Sequence, residues 1–357
     1  MVTIATFSID SVQYLNAEGQ ATQEFPEFAN DSAHLIDLYQ QMVLLRTFDT
    51  KAIALQRTGK MGTYASTLGQ EAISVALGNV MKTEDVLVPY YRDYGAMLAR
   101  GVTMQEIYAY WGGDERGSCY VNNANDFPIS VPISSQCLHA AGVASAFKIR
   151  KQPRVAVCTL GDGGTSEGDF YEAINVAGAW FLPMVCVINN NKWAISVPLY
   201  KQTSVHTLAQ KAIAAGIRGI QVDGNDIIAC HQIISEAIER AREGKGPTLI
   251  EAISYRLCDH TTADDASRYR DADELKQAWE LEPIIRLRNY LKQQNVWDET
   301  KEAALQDRSE KQVAAAVEAY LTMPPAAITD IFDYHYQSWP EPYWEQRQQA
   351  IEDHQNG

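Results

Sequence analysis

Apolar residues recur every three or four positions along the first long segment after residue 30. The positions are Leu35, Leu38, Met42 and Leu45. They would share one face of a helix, and Gly59 follows as a stop signal. The pattern therefore predicts a helix over 30–57, preceded by an irregular arm over 1–30.

Two short apolar runs in the middle of the chain have the length of buried strands. They span 155–160 and 185–188, with about a dozen residues of helical character between them. A strand–helix–strand unit of this kind forms a parallel pair with a right-handed crossover. A helix over 227–243 and a strand over 248–253 continue the alternation. The pattern thus predicts a doubly wound parallel sheet of the α/β class.

Helical segments follow the last predicted strand and continue to the C-terminus, with a break at Pro324-Pro325. We therefore expect three regions along the chain. They are an N-terminal arm over 1–30, a ligand-binding α/β domain over 31–270 and a helical C-terminal extension over 271–357.

The charge balance changes which ligands are plausible. The 357 residues include 30 Lys and Arg against 45 Asp and Glu, which gives a formal net charge of −15. Binders of nucleic acid or anionic membranes need a basic face, so this charge argues against both. No Lys or Arg precedes Arg46, whereas secretory and mitochondrial leaders are basic. We therefore expect a cytoplasmic protein that binds neither nucleic acid nor membrane.

Polar residues follow both central strands at the point where each strand ends. The first strand runs into GDGG at 161–164, and the second runs into NNN at 189–191. Since the carboxyl ends of parallel strands share one edge, both clusters should project into one crevice. Asp162 offers a carboxylate and Asn191 an amide oxygen. These ligand types suit Mg²⁺, which often takes its remaining oxygens from a diphosphate.

The residues after Asp162 suit a diphosphate as well. Gly163 and Gly164 let the backbone approach a ligand closely and offer amide donors. Ser166 and Asp169 have the spacing of a capping box, which predicts that a helix begins there with free amides. The segment therefore predicts a cradle for magnesium and diphosphate.

Taken alone, the Gly-Asp-Gly triplet is also what an ordinary turn between a strand and a helix contains. The dinucleotide fingerprint fails because its third glycine would fall at Ser166, and no P-loop motif occurs. The pairing favours a cofactor site, because 26 residues separate Gly-Asp-Gly from Asn-Asn and each follows a strand.

That spacing matches the thiamine diphosphate motif, and longer stretches resemble one family. GDGGTSEGDFYEAINVAGAW at 161–180 and NNNKWAISVP at 189–198 are similar to alpha subunits of the decarboxylating components of 2-oxoacid dehydrogenases. That family includes the pyruvate, branched-chain and acetoin enzymes. The resemblance covers most of the chain and includes GQEA at 69–72, YRDYG at 91–95, QVDGND at 221–226, GPTLIEA at 246–252 and HTTADDASRYR at 260–270. It implies the thiamine diphosphate-binding fold.

The resemblance also implies roles for individual residues. The implied magnesium ligands are Asp162, Asn191 and the main-chain carbonyl of Trp193. The implied contacts to thiamine diphosphate are the diphosphate neighbours Tyr91, Arg92, Gly163 and Gly164, and Val131 and Ile133 beside the aminopyrimidine ring. His260 matches a catalytic histidine of a loop over the diphosphate and the substrate entrance.

The implied chemistry needs a second chain. In the family, a separate beta subunit supplies the glutamate that activates the aminopyrimidine, which implies an α2β2 heterotetramer. The implied reaction decarboxylates a 2-oxoacid and passes the acyl group to a lipoyl-bearing dihydrolipoyl acyltransferase. We favour pyruvate as the substrate because the whole string best resembles bacterial pyruvate enzymes. Branched-chain 2-oxoacids and acetoin are the alternatives.

Two interpretations from other classes stay open. A split transketolase half also uses Gly-Asp-Gly and Asn-Asn, but it would carry early histidine-bearing cofactor loops, whereas only His34 precedes His139 here. The other is a non-catalytic module that keeps the fold. The joint presence of Asp162, Asn191 and His260 argues against it. The role of His139 itself is open.

Overall fold

The computed structural model describes residues 1–356, so Gly357, the last residue of the predicted extension, lies outside the described residues. Its main feature is a six-stranded sheet in which every neighbouring pair is parallel. The strands are β1 (Ser11–Val12), β2 (Val86–Val88), β3 (Ala156–Gly161), β4 (Met184–Asn190), β7 (Arg218–Asp223) and β8 (Thr248–Ile253), and a separate hairpin is formed by β5 (Trp193–Ala194) and β6 (Val197–Pro198). The order across the sheet is β1-β7-β8-β4-β3-β2. The predicted parallel α/β sheet is confirmed.

Helices connect the strands and continue beyond the sheet. They are α1 (Ser32–Arg57), α2 (Glu71–Val80), α3 (Tyr94–Ala99), α4 (Met104–Trp111), α5 (Ser135–Ile149), α6 (Gly168–Ala179), α7 (Leu199–Gln202), α8 (Lys211–Ala214), α9 (Ile227–Arg242), α10 (Ala272–Trp279), α11 (Pro283–Gln293), α12 (Glu299–Leu321), α13 (Asp330–Asp333) and α14 (Glu341–Asn356). Short 3₁₀ turns lie at Glu27–Asn30, Glu115–Ser118, Asp162–Ser166, Leu208–Gln210 and Ala266–Arg268. None of the described helices is both long and apolar enough to span a membrane.

Both faces of the sheet are buried, and successive residues of the central strands alternate between two cores. Val157 and Val187 belong to the core that includes residues of α1, α2 and α9. Cys158 and Cys186 belong to the core that includes residues of α5 and α6. This alternation explains why the central strands are apolar at nearly every position, as expected for a sheet covered on both sides.

The first thirty residues contribute an edge strand. β1 pairs with β7 in parallel register, with Ser11 opposite Gln221. The buried carboxylate of Asp226 then accepts hydrogen bonds from the amides of Tyr14 and Leu15, at 2.6 and 2.7 Å. A two-residue strand held by a side chain has no periodicity for a sequence pattern to detect. The boundaries of the three regions remain a prediction.

The helices after β8 pack against the rest of the chain through buried ion pairs. Arg286 of α11 lies 2.6 Å from Asp223 at the end of β7. Glu282, the N-cap of α11, pairs at 2.7 Å with Arg46 of α1. Helical structure is interrupted after α12 at Pro324-Pro325, as predicted. These contacts fix α11 against α1 and against the end of β7.

Candidate active site

The carboxyl ends of β3 and β4 form one wall of a cavity of about 230 Å³. The two strands are paired in register up to Gly161 and Asn189, so the segments that follow them start side by side. All ten residues predicted from the sequence line this cavity: Tyr91, Arg92, Val131, Ile133, Asp162, Gly163, Gly164, Asn191, Trp193 and His260. Residues up to 169 positions apart in the chain thus meet at one edge of the sheet.

The two side chains predicted to bind magnesium are both buried and held by glutamines. Asp162 Oδ2 accepts a hydrogen bond of 2.8 Å from Gln202 Nε2. Asn191 Nδ2 donates to Gln70 Oε1 at 3.0 Å, which fixes the orientation of the amide and so the position of its Oδ1. Asn191 Oδ1 also accepts a 3.2 Å hydrogen bond from the amide of Trp193. Outer hydrogen bonds of this kind orient metal ligands.

The carbonyl of Trp193 points away from its hairpin partner. Trp193 lies opposite Pro198, which has no N–H to donate, and the adjacent bond runs from the Leu199 amide to the Lys192 carbonyl at 3.0 Å. Because bonded and non-bonded pairs alternate along antiparallel strands, the Trp193 carbonyl is left outside the ladder. It is therefore available as a third oxygen ligand.

The turn after Asp162 leaves no room for side chains at its two glycines. A Cβ on Gly163 would lie 2.6 Å from the Cβ of Ala194. A Cβ on Gly164 would lie 2.8 Å from Ser134 Oγ, which donates a 2.6 Å hydrogen bond to the Gly164 carbonyl. Ser134 itself has a positive φ of 67°. The backbone here is packed as a close-fitting cradle, as the glycines predicted.

The predicted capping box at Ser166 and Asp169 is wrong. Residues 162–166 form a 3₁₀ turn, and α6 begins only at Gly168 with Glu167 as its N-cap and no side-chain cap. The tighter 3₁₀ turn uses the residues that the pattern assigned to the first helical turn. The amides next to the cavity therefore belong to the 3₁₀ turn and its glycines.

Two buried arginines surround His260. Arg92 Nη2 lies 3.1 Å from His260 Nδ1 and donates to the His260 carbonyl at 2.6 Å. Arg256 Nη1 lies 3.4 Å from the same Nδ1, while Nη2 donates to Tyr269 OH at 2.7 Å. Among the described residues, neither guanidinium forms an ion pair with a carboxylate. A buried charge without a counter-ion is costly, so this pair favours an anionic ligand.

Burial and the same two arginines determine the protonation of His260. Burial and the charges of Arg92 and Arg256 lower the pKa of His260 to about 4. The ring is therefore neutral at pH 7. Since arginine can only donate, Nδ1 must act as the acceptor, and the ring proton lies on Nε2. His260 thus offers one N–H donor at the cavity.

The apolar side of the cavity is open to solvent. Val131, Ile133 and Ile195 line it and are 52%, 49% and 57% exposed. His139, whose role the sequence left open, lies outside the cavity lining on an exposed face of α5, where it stacks on Phe127 at 5.7 Å. An apolar rim of this kind is typical of a surface that another chain covers.

Sequence reasoning missed four residues of the site. They are Gln70, Gln136, Gln202 and Arg256. Gln70 lies within the GQEA stretch already noted, which was a usable signal. Gln202 acts from a helix 40 positions after Asp162, so no local pattern marks it.

The residues present fit a magnesium ion with a diphosphate. One carboxylate, one carboxamide oxygen and one free carbonyl form an all-oxygen donor set. Burial raises the pKa of Asp162, because the ionised carboxylate is costly to bury. A bound cation would offset that cost. The glycine turn and the unpaired guanidiniums add the donors that a diphosphate needs.

Comparison with known proteins identifies the protein family. Residues 39–327 match the family model described as "Dehydrogenase E1 component". The chain belongs to this family, and the resemblance stated from its motifs is thereby confirmed.

Individual relatives show sequence similarity over almost the whole chain. The chain is 39% identical over 340 residues to "Pyruvate dehydrogenase E1 component subunit alpha" of Staphylococcus aureus, covering 94% of this chain and 91% of the relative. It is 38% identical over the same shares to the protein of that name from Staphylococcus epidermidis.

Proposed function

We propose that this chain is the alpha subunit of a pyruvate dehydrogenase, which binds thiamine diphosphate and Mg²⁺ between the ends of β3 and β4. The observation that carries the proposal is the convergence of all ten predicted residues on one cavity. Membership of the dehydrogenase E1 component family implies thiamine diphosphate, and both relatives bear the pyruvate dehydrogenase name.

The metal would be held by Asp162, Asn191 Oδ1 and the carbonyl of Trp193. The hydrogen bonds from Gln202 and to Gln70 would keep the two side chains in place while the ion binds. The amides of the turn at Gly163 and Gly164 and the guanidinium of Arg92 would bind the diphosphate, with Tyr91 beside them.

When bound, thiamine diphosphate supplies the nucleophilic carbon and the electron sink for decarboxylation of a 2-oxoacid. The chain's own residues would position the cofactor and the substrate and would polarise the reacting groups. His260, neutral and protonated on Nε2, can donate a hydrogen bond to an anionic oxygen without adding charge. The guanidinium pair raises the local positive potential, which favours an anionic substrate at the entrance.

The chain would act together with a beta subunit in an α2β2 heterotetramer. The exposed apolar rim of Val131, Ile133 and Ile195 supports a partner that closes the cavity. The beta subunit would supply the glutamate that activates the aminopyrimidine. A lipoyl-bearing dihydrolipoyl acyltransferase would accept the acetyl group. The proposal also places this complex in the cytoplasm.

The experiment that tests this proposal uses the alpha chain co-expressed with its beta subunit. Decarboxylation of pyruvate and of 3-methyl-2-oxobutanoate is compared as kcat/KM, with thiamine diphosphate and Mg²⁺ present and absent. We expect activity only with both, and a higher kcat/KM for pyruvate. A preference for the branched substrate, or activity without the cofactor, would contradict the proposal.

A further inference from the structure

Gln136, at the start of α5, lines the cavity with one polar atom unused. Its Nε2 donates a 2.9 Å hydrogen bond to the carbonyl of Thr159 in β3. Its Oε1 is buried and has no hydrogen-bond partner among the described residues. Because the Thr159 carbonyl can only accept, the amide cannot be flipped, and the oxygen is the atom left for a ligand.

An unpaired buried oxygen is costly, so the protein gains when a ligand satisfies it. Leaving a buried hydrogen-bond acceptor without a partner costs about 1–3 kcal/mol. Two other glutamines at the site also carry an unpaired buried atom, Gln70 Nε2 and Gln202 Oε1, and these hold Asn191 and Asp162. Three of the eleven buried side-chain atoms without a partner among the described residues thus belong to glutamines at the proposed cofactor site.

The chemistry of the missing partner is that of a hydrogen-bond donor. A diphosphate carries only acceptor oxygens at neutral pH, so it cannot satisfy Gln136 Oε1 itself. In the proposed complex, the donors that could reach this oxygen are an N–H of the cofactor's aminopyrimidine and a water held by the metal and diphosphate. Gln136 follows Ile133 by three residues, and the segment 131–133 is the one expected beside the aminopyrimidine.

We propose that Gln136 is a further cofactor-binding residue whose Oε1 accepts a hydrogen bond from the bound thiamine diphosphate–magnesium complex, directly or through one ordered water. Thr159 serves as the anchor that aims the amide. This inference rests on the proposed function, since it takes thiamine diphosphate as the ligand.

Gln152 provides a matched control. It follows the opposite end of α5, and its Oε1 is likewise buried without a partner among the described residues. It is absent from the lining of the cavity. Gln152→Met therefore removes the same kind of unpaired oxygen without touching the site.

The test measures binding of thiamine diphosphate at saturating Mg²⁺ by calorimetry, using the assembled alpha–beta complex and its Gln136→Met and Gln152→Met variants. We expect Gln136→Met to raise the Kd about fivefold, the factor that one ordinary hydrogen bond contributes. Gln152→Met should leave it unchanged. The melting midpoint of the ligand-free complex checks folding, and Gln136→Ala replaces Gln136→Met if the latter does not assemble.

Inorganic diphosphate with Mg²⁺ identifies the donor. If the aminopyrimidine donates, Gln136→Met weakens thiamine diphosphate and spares inorganic diphosphate. If a water donates, both are weakened alike, and either result supports the proposal. Unchanged binding of thiamine diphosphate in Gln136→Met, or an equal loss in Gln152→Met, would overturn it. Failure of the parent complex to bind thiamine diphosphate would instead overturn the proposed function.

Discussion

Arg256 gives the most quantitative test of the electrostatics of the site. Its guanidinium and that of Arg92 lie 3.4 and 3.1 Å from the same atom, His260 Nδ1, so the two nitrogens are at most about 6.5 Å apart. With an effective dielectric constant of about 20, the repulsion of two such charges is about 2.5 kcal/mol. An anion at a similar distance from Arg256 would gain a similar energy.

The perturbation is Arg256→Met in the assembled complex. We expect the affinity for thiamine diphosphate at saturating Mg²⁺ to fall about 70-fold, which corresponds to roughly 2.5 kcal/mol. The pKa of His260, now about 4, should also rise toward its ordinary value because one of the charges that lower it is removed. Calorimetry measures the first effect, and hydrogen–deuterium exchange at the histidine ring measures the second.

Arg286→Met is the matched control. Arg286 is also a buried arginine, but its charge is compensated by Asp223 at 2.6 Å. Its loss should lower the melting midpoint, because it strands a carboxylate, and should leave cofactor affinity unchanged. Binding by Arg256→Met that equals the parent's, or an equal loss of affinity in Arg286→Met, would refute the reasoning.

Two further predictions follow from packing and burial. Gly163→Ala puts a Cβ 2.6 Å from Ala194 and should weaken cofactor binding by about tenfold or more, as measured by calorimetry, whereas Gly142→Ala meets nothing within 4 Å and should leave binding intact. Burial raises the pKa of Asp93 to about 7, above the ~3.9 of an unfolded chain, so the folded state holds the proton more tightly. The stability that this provides is complete below about pH 4 and is lost as the pH rises to 7. The melting midpoint of Asp93→Asn, relative to that of the parent, should therefore be higher at pH 8 than at pH 5. An equal difference at both pH values would contradict this.

Much of the site was predictable because its residues follow strands directly. Asp162 and Asn191 come immediately after β3 and β4, whose apolar runs are visible in the sequence, and parallel pairing then forces them together. The sheet was predictable for the same reason, since burial on both faces leaves a continuous apolar signal.

The rest depends on contacts that no local pattern encodes. Arg256 lies just after β8, and the position of β8 beside β4 carries it, together with His260 four residues later, to the site at the end of β4. The edge strand β1 is held by a distant carboxylate, that of Asp226. The helix start is within one residue of the prediction, because Glu167 is the N-cap of α6, but the capping box failed because Ser166 belongs to the 3₁₀ turn that precedes the helix.

The central claim is that one divalent ion binds between the ends of β3 and β4. It is tested most directly by a crystal of the assembled complex soaked with thiamine diphosphate and Mn²⁺, with anomalous scattering used to locate the metal. We expect one peak per alpha subunit, bounded by an Asp162 carboxylate oxygen, Asn191 Oδ1 and the Trp193 carbonyl, with diphosphate and water oxygens completing the near-octahedral shell. Bound cofactor with the metal elsewhere, or no metal between these three oxygens, would contradict the account.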